Sequence, residues 1–237
     1  MNELKHYNVK GTNWYKHKFG NWERHAKYAN GQPNPETMNG IKVKSYNMSS
    51  WGSDADHNTL FITGYSGSGK STIAVDLRNK RTNVIHLDLF TESIGSWSKA
   101  DRDPEFSRYL EETGSDFYKI SDPEKYGVKK QTKEFGDLLQ SFEDSIVDFS
   151  RQQYDKGKRV VVEGVQLSDN TLFPDKSYFK DKPLIVTRTN ALTSFIRSGI
   201  RDEKLNLKDL TPADIKEYVR WYNQMSKNLE NVKMKMV

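Results

Sequence analysis

The chain has 237 residues, of which 35% are hydrophobic and 29% are charged, and it contains no cysteine. Disulfides, thiolate catalysis and cysteine-ligated zinc or iron–sulfur sites are therefore excluded. No apolar stretch approaches the ~20 residues of a membrane span, and residues at the N-terminus lack the apolar region of a signal peptide, so we expect no membrane partner. The length suits one sizeable α/β domain with an appendage, or two small domains.

The first fifth of the chain carries all of its net charge of +5. Residues 1–50 hold eight Lys or Arg and three Asp or Glu, while the remainder is formally neutral. Residues 1–40 also interleave cations with Trp, Tyr and Phe, a mixture that can stack on bases and neutralise phosphates. We favour the alternative that these aromatic residues dock the arm onto the domain or onto a protein partner. We predict a basic arm and linker over residues 1–55.

A phosphate-binding loop follows the arm. After the alternating residues 41–44, interpreted as an edge strand, the apolar run 60–63 leads into a sequence that satisfies G-x-x-x-x-G-K-[ST]. Small residues let successive N–H groups turn inward around a phosphate, to which the positive end of the next helix adds. The alternative is an ordinary Gly/Ser-rich turn. The predicted ATP-contacting residues are Gly64, Tyr65, Ser66, Gly67, Ser68, Gly69, Lys70, Ser71 and Thr72.

Two acids end predicted strands downstream. Asp88 follows the strand 83–87, and Glu163 ends the β-branched strand that begins at Arg159. Because ligands gather outside the carboxyl ends of parallel strands, Asp88 is placed to face the γ-phosphate, and Glu163 could hold a Mg²⁺-bound water at the end of its strand. Between the two strands, residues 91–131 show no sustained periodicity. We interpret them as the acceptor pocket or a cover over it, with a variable surface insertion as the alternative.

The remaining pattern alternates helices with strands. A stripe of apolar residues at three- and four-residue steps predicts a long helix, which Gly157 would stop. A buried strand follows at 184–187, and a helix opens at Thr211 with a capping pattern and Pro at its first turn. The predicted fold is therefore the three-layer α/β/α fold of P-loop NTPases with a mainly parallel sheet, over residues 56–237. The stripe of the long helix is Phe135, Leu138, Leu139, Phe142, Ile146 and Phe149, and that of the last helix is Ile215, Tyr218, Val219, Tyr222, Met225 and Leu229.

These residues suit phosphoryl transfer, which needs neutralised γ-phosphate charge, a held Mg²⁺ and an oriented acceptor hydroxyl. Lys70 would reach the β- and γ-phosphates, and Asp88 could accept the acceptor's proton or orient its hydroxyl. Arg197 and Arg201, four residues apart on one helical face, could close over the phosphates, or form an ordinary solvated face. The predicted catalytic residues are Lys70, Asp88, Arg197 and Arg201, and the predicted Mg²⁺ ligands are Ser71, Asp88 and Glu163.

The motifs resemble those of P-loop nucleoside and nucleotide kinases, especially the uridine kinase and phosphoribulokinase-like group. The matching segments are Gly64–Thr72, His86–Phe90, residues 160–165 and residues 192–202. The resemblance implies that Asp88 is the base toward the acceptor, that Glu163 is an acid of the magnesium shell, and that Arg197 and Arg201 belong to a lid over residues 188–205. Residues 5–14 resemble N-terminal segments of phage head and morphogenesis proteins, which implies docking to a virion component.

The leading hypothesis is an ATP- and Mg²⁺-dependent kinase, cytoplasmic in a bacterial host cell, that acts on a small molecule or nucleotide. One alternative is a kinase acting on a nucleic acid or a UDP-sugar. Another is a virion or assembly protein with a regulatory or vestigial ATP site, whose arm binds a phage structural protein or nucleic acid.

Overall fold

The computed structural model describes residues 34–38, 41–91, 102–168, 171–189, 193–197 and 211–234. Its strands form one sheet in the order β1-β2-β6-β3-β5-β4. The strands are β1 (Asn34–Met38), β2 (Ile41–Tyr46), β3 (Thr59–Gly64), β4 (Thr82–His86), β5 (Arg159–Glu163) and β6 (Leu184–Arg188).

The sheet is mixed, so the prediction of a mainly parallel sheet is wrong. Strands β6, β3, β5 and β4 run parallel, whereas β2 is antiparallel to both β6 and β1. The alternation of strands and helices predicted the four parallel strands, because parallel neighbours need long crossovers. No comparable sequence pattern indicates that β2 pairs antiparallel with β6. Moreover, β2 is not an edge strand, since β1 pairs along its outer side.

The described helices are α1 (Lys70–Leu77), α2 (Asp88–Thr91), α3 (Pro104–Glu112), α4 (Tyr118–Ser121), α5 (Lys133–Asp155) and α6 (Pro212–Met234). Residues 193–197 are also helical. Short 3-10 turns lie at Met48–Ser50, Glu124–Tyr126, Val165–Leu167 and Lys176–Phe179. None of the described helices is long and apolar enough to cross a membrane.

Side chains along a strand alternate between the two faces of the sheet, and here both faces carry apolar side chains that helices cover. On one face, Leu60 and Ile62 of β3 pack in a cluster with Ile73 of α1. On the other face, Phe61 belongs to a larger cluster that includes Phe106 of α3 and residues of α5. The predicted stripe of α5 is confirmed in that cluster: Phe142, Ile146 and Phe149 are buried, and Phe135, Leu138 and Leu139 pack against it.

The ends of two predicted helices are also confirmed. At the end of α5, Gly157 takes a positive φ of 68° and its N–H donates to the Tyr154 carbonyl at 2.8 Å, a C-terminal stop that favours glycine. At the start of α6, the N–H and hydroxyl of Thr211 donate to Asp214 Oδ2 at 2.9 and 2.6 Å.

The predicted arm and the predicted insertion both contribute to this fold. Residues 34–38 and 41–46 are sheet strands and Trp51 is buried, so the folded unit begins before the predicted boundary at residue 55. Residues 1–33 lie outside the described part. In the insertion, Phe106 and Leu110 of α3 are fully buried. Helix α3 of the predicted insertion is therefore part of the core, while residues 92–101 lie outside the described residues.

Candidate functional site

The loop between β3 and α1 has a backbone that only glycine can follow at its first position. Gly64 has a φ of 148°, and a Cβ there would lie 2.1 Å from Thr187 Oγ1 and 2.6 Å from the Thr187 carbonyl oxygen. Gly67 and Gly69 also take positive φ angles of 70° and 98°. Because residues with a Cβ rarely adopt such φ angles, the three glycines determine the path of the loop.

Buried hydroxyl groups hold the loop from beneath. Ser68 is fully buried, and its hydroxyl donates to the Tyr65 carbonyl at 2.6 Å and lies 2.5 Å from Thr187 Oγ1. Thr187, near the end of β6, donates in turn to the Thr63 carbonyl at 3.2 Å. Ser68 N–H also donates to the Tyr65 carbonyl, at 3.1 Å. The hydroxyl and amide of Ser68 therefore shape the loop from its inner side.

Other N–H groups of the loop make no bond to the described part of the chain. Those of Gly67, Gly69, Ser71 and Thr72 have no acceptor there. Lys70 is buried, with 6% of its surface exposed, and its ammonium group donates to the Tyr65 carbonyl at 3.0 Å. Unpaired N–H groups at the start of a helix, next to a lysine, form an anion-binding arrangement.

The carboxyl end of β5 brings a buried carboxylate to this loop. Glu163 is 1% exposed, and its Oε1 lies 2.6 Å from Nδ1 of His86, its register partner on β4. Burial by itself raises the pKa of Glu163, but His86, Lys70 and Ser71 lower it, and the pKa lies below its ordinary value. The other oxygen, Oε2, is buried and completes no well-formed hydrogen bond among the described residues.

This donor set fits a magnesium ion. The buried carboxylate of Glu163, which interacts with Lys70 and the Ser71 hydroxyl, offers a hard oxygen ligand of the type that Mg²⁺ prefers. Within the described residues, no three His, Asp or Glu side chains gather as a metal site. A magnesium–nucleotide site does not require such a cluster, because phosphate oxygens and water supply most of the ligands.

Asp88 lies at the same edge of the sheet, as the first residue of α2. It is half-buried, and Gln166 Nε2 donates to its Oδ1 at 2.8 Å. The same amide nitrogen lies 3.0 Å from Thr91 Oγ1 at the other end of α2. Gln166 thus orients the Asp88 carboxylate from the segment that follows Glu163.

The predicted lid reaches the loop through Ser194. In helical residues 193–197, the Ser194 hydroxyl donates to the Ser66 carbonyl and accepts from Tyr218 of α6 at 2.7 Å. Arg197 is exposed on this segment, three residues after Ser194 and hence on a neighbouring part of the helical surface. The second predicted lid residue, Arg201, lies outside the described residues.

Helix α6 also contacts the loop directly. The rings of Tyr65 and Tyr222 lie 4.2 Å apart between centroids, and Tyr65 Oη is 2.7 Å from Ser226 Oγ. Tyr222 donates to the Thr189 carbonyl at 2.6 Å. The predicted apolar face of α6 is therefore only partly confirmed: Tyr218 and Tyr222 face the domain, whereas Ile215 and Val219 are 41% and 40% exposed. The side chains of Met225 and Leu229 lie outside the described part.

Sequence reasoning missed several residues that shape this site. His86 and Gln166 lie two residues before Asp88 and three after Glu163, and polar residues at strand ends are their only local signal. Ser194 and Tyr222 act through contacts between distant segments, which leave no periodic pattern.

Comparison with known proteins adds no relative to this description. No protein-family model, curated protein or solved structure matches the chain.

Proposed function

We propose that the chain is a P-loop kinase that uses ATP and Mg²⁺ to phosphorylate a hydroxyl or phosphate of a small molecule or nucleotide. The observation that carries the proposal is the position of Lys70 and Ser71 beside the buried Glu163, whose Oε2 completes no well-formed hydrogen bond among the described residues. Strand β3 lies between β5 and β6, so the loop and the acid meet at adjacent strand ends. We infer from the same arrangement a P-loop NTPase fold with an added antiparallel hairpin.

The loop would bind the phosphates of ATP. The N–H groups of Gly67, Gly69, Ser71 and Thr72 would donate to phosphate oxygens, and Lys70 would leave the Tyr65 carbonyl to contact the β- and γ-phosphates. Both contacts place positive charge where the transferring group is most anionic, which lowers the barrier to phosphoryl transfer. Gly64 and Ser68 would keep the loop in shape for this contact.

Ser71, Asp88 and Glu163 would hold Mg²⁺. When bound, the ion would neutralise negative charge on the phosphates. Within the chain, His86 holds Glu163 Oε1, so that Oε2 would be the oxygen that serves the ion. A carboxylate held in one orientation does not reorganise during the reaction, which is the source of its catalytic advantage.

Asp88 would act on the acceptor. The acceptor oxygen forms a bond to the γ-phosphorus, the bond from that phosphorus to the β,γ-bridging oxygen breaks, and ADP leaves. If the acceptor is a hydroxyl, its proton passes to the Asp88 carboxylate, which Gln166 orients. Arg197, and Arg201 if the lid closes, would add charge over the phosphates.

The decisive experiment compares Lys70→Ala with Lys80→Ala, since Lys80 is exposed and lies in the turn after α1. Purified protein should convert ATP to ADP only with Mg²⁺ and a suitable acceptor. Lys70→Ala should abolish this turnover, while Lys80→Ala should leave it unchanged. Bound ATP without turnover across a broad acceptor panel would contradict the kinase assignment. Oligonucleotides and UDP-sugars in the panel test the macromolecular and cell-wall acceptors.

A second candidate is an assembly protein whose ATP site is regulatory, and the charge of residues 1–50 favours it. The basic arm would then dock to a phage structural protein or to nucleic acid. Because β1 begins at Asn34, a truncation of residues 1–33 leaves every described strand in place. Loss of particle or nucleic-acid association with retained ATP turnover would assign docking to the arm and chemistry to the domain.

A further inference from the structure

Arg102 is a half-buried arginine beside α2. Its Nε donates to the Leu89 carbonyl at 2.7 Å. Its Cζ lies 4.9 Å from the centre of the Phe90 ring and 5.2 Å from that of Phe117. Burial lowers the pKa of Arg102, although a guanidinium stays charged in proteins. The side chain is thus a fixed cation, held by two rings and one carbonyl.

No carboxylate of the described residues pairs with this cation. The adjacent acid, Asp103, is buried and engaged elsewhere: it accepts from the N–H groups of Glu105 and Phe106, from the Asn83 amide and from Val84 N–H. Among the described residues this partly desolvated charge therefore has no counter-ion, a situation that costs free energy and that an incoming anion would relieve.

The part of Arg102 that stays available suits an oxyanion. The ring contacts cover guanidinium faces and Nε is already bonded, while the two terminal amino groups donate to no described acceptor. Two parallel N–H donors match the paired oxygens of a phosphate or carboxylate, which is why arginine binds these groups in a bidentate manner. The contacts with Phe90 and Phe117 would keep these two donors in one orientation.

The position of Arg102 connects it to the reacting end of the site. Arg102 donates a hydrogen bond to Leu89, the residue after Asp88. Asp88 and Leu89 both belong to α2, a helix of four residues that is only about one turn, or ~6 Å, long. We propose that Arg102 binds a phosphate or carboxylate group carried by the acceptor, so that the substrates of the enzyme are anionic molecules. This inference rests on the proposed function and specifies the acceptor that the function leaves open.

Calorimetric titration tests the anion site without requiring turnover. The full chain is first saturated with Mg²⁺ and a non-hydrolysable ATP analogue to fill the loop, and then titrated with inorganic phosphate or with acetate. Arg102→Gln should weaken binding of the preferred anion at least tenfold, as expected for loss of a charge-assisted pair. The matched control is Arg108→Gln, because Arg108 is an exposed arginine of α3. This change should leave the anion affinity unaltered.

Arg102→Lys separates anion binding from a purely structural stack. Lysine keeps a cation near the rings but lacks the paired donors, so its anion affinity should be intermediate at nearly unchanged melting temperature. This variant also carries the test if Arg102→Gln does not fold. Equal anion affinity in wild type, Arg102→Lys and Arg102→Gln, or no anion binding at all, would overturn the proposal.

The two proposals fail in different experiments. Turnover that prefers uncharged acceptors, with an acceptor KM unaffected by Arg102→Gln, overturns the anionic acceptor and leaves the kinase intact. If the chain binds no ATP, the kinase fails, and phosphate titration of Lys70→Ala, whose loop no longer retains phosphate, still decides whether Arg102 is an anion site. Under the full proposal, Arg102→Gln raises the KM for a nucleoside monophosphate or sugar phosphate at least tenfold and leaves that for ATP unchanged.

Discussion

His86 and Glu163 meet at the last paired position of β4 and β5, with Nδ1 of the histidine 2.6 Å from Oε1 of the glutamate. Both side chains are buried. A hydrogen bond from a neighbouring strand therefore holds one oxygen of the Glu163 carboxylate, while Lys70 and Ser71 of the loop between β3 and α1 also interact with this carboxylate.

His86→Leu should remove this orientation, whereas His86→Asn keeps a donor close to the position of Nδ1. We expect His86→Leu to lose about 3 kcal/mol of unfolding free energy, because an unpaired buried charge is costly. It should also lose most of the Mg²⁺-dependent gain in affinity for an ATP analogue, measured by titration with and without the ion. Equal Mg²⁺ dependence in the two variants would contradict a positioning role for His86.

Gly64→Ala should disrupt the loop from its first residue. The added Cβ would meet the hydroxyl and carbonyl oxygens of Thr187 at a φ of 148°. Strain and overpacking together should cost about 3 kcal/mol, measured by chemical denaturation, and nucleotide binding should fall with it. Gly136→Ala is the control, since its Cβ would have nothing within 4 Å on helix α5. That change should stabilise the protein by about 0.5–1 kcal/mol, and a similar loss in both variants would refute the prediction.

Asp103→Ala should detach α3 from the sheet. The carboxylate caps α3 and also accepts from the Asn83 amide and the Val84 N–H of β4. Loss of a cap and of partners for buried donors should cost about 2–4 kcal/mol, measured by urea unfolding. Asp144→Ala, whose carboxylate makes an exposed hydrogen bond with Gln140, should cost less than about 0.5 kcal/mol. Comparable losses would show that the Asp103 bonds are dispensable.

The contact of α6 with the loop should weaken at high pH. Burial first, and Tyr65 next, raise the pKa of Tyr222 to about 12. A raised pKa means that the fold favours the neutral phenol, so this stability is complete below the ordinary value near 10 and is lost as pH rises toward 12. Tyr222→Phe should show a smaller loss of melting temperature between pH 10 and pH 12 than the wild type. An equal loss of melting temperature in the two proteins would show that ionisation of Tyr222 does not weaken this contact.

Much of the site could be predicted locally. The glycines, Lys70 and Ser71 are consecutive, and the apolar run before them and the helix after them lie within one short segment. Backbone conformation there depends on neighbours along the chain, so the loop between β3 and α1 was predictable. The stripe and the glycine stop of α5 follow from helical periodicity for the same reason.

What the sequence could not reveal depends on register and strand order. That His86 faces Glu163, that Thr187 lies under Gly64, and that β1 and β2 reverse the sheet direction all depend on pairing between segments far apart in the chain. Asp103, the neighbour of Arg102 in sequence, turns to β4 instead and accepts a hydrogen bond from Val84 N–H.

The sequence by itself therefore determined the glycine-rich loop between β3 and α1, the long helix and the presence of two acids near strand ends, because each is encoded in adjacent residues or in one repeating period. Only the tertiary structure decided which acid lies beside the loop and what orients it. Those relationships are set by hydrogen bonding between strands that the chain brings together over about 77 residues, from His86 to Glu163.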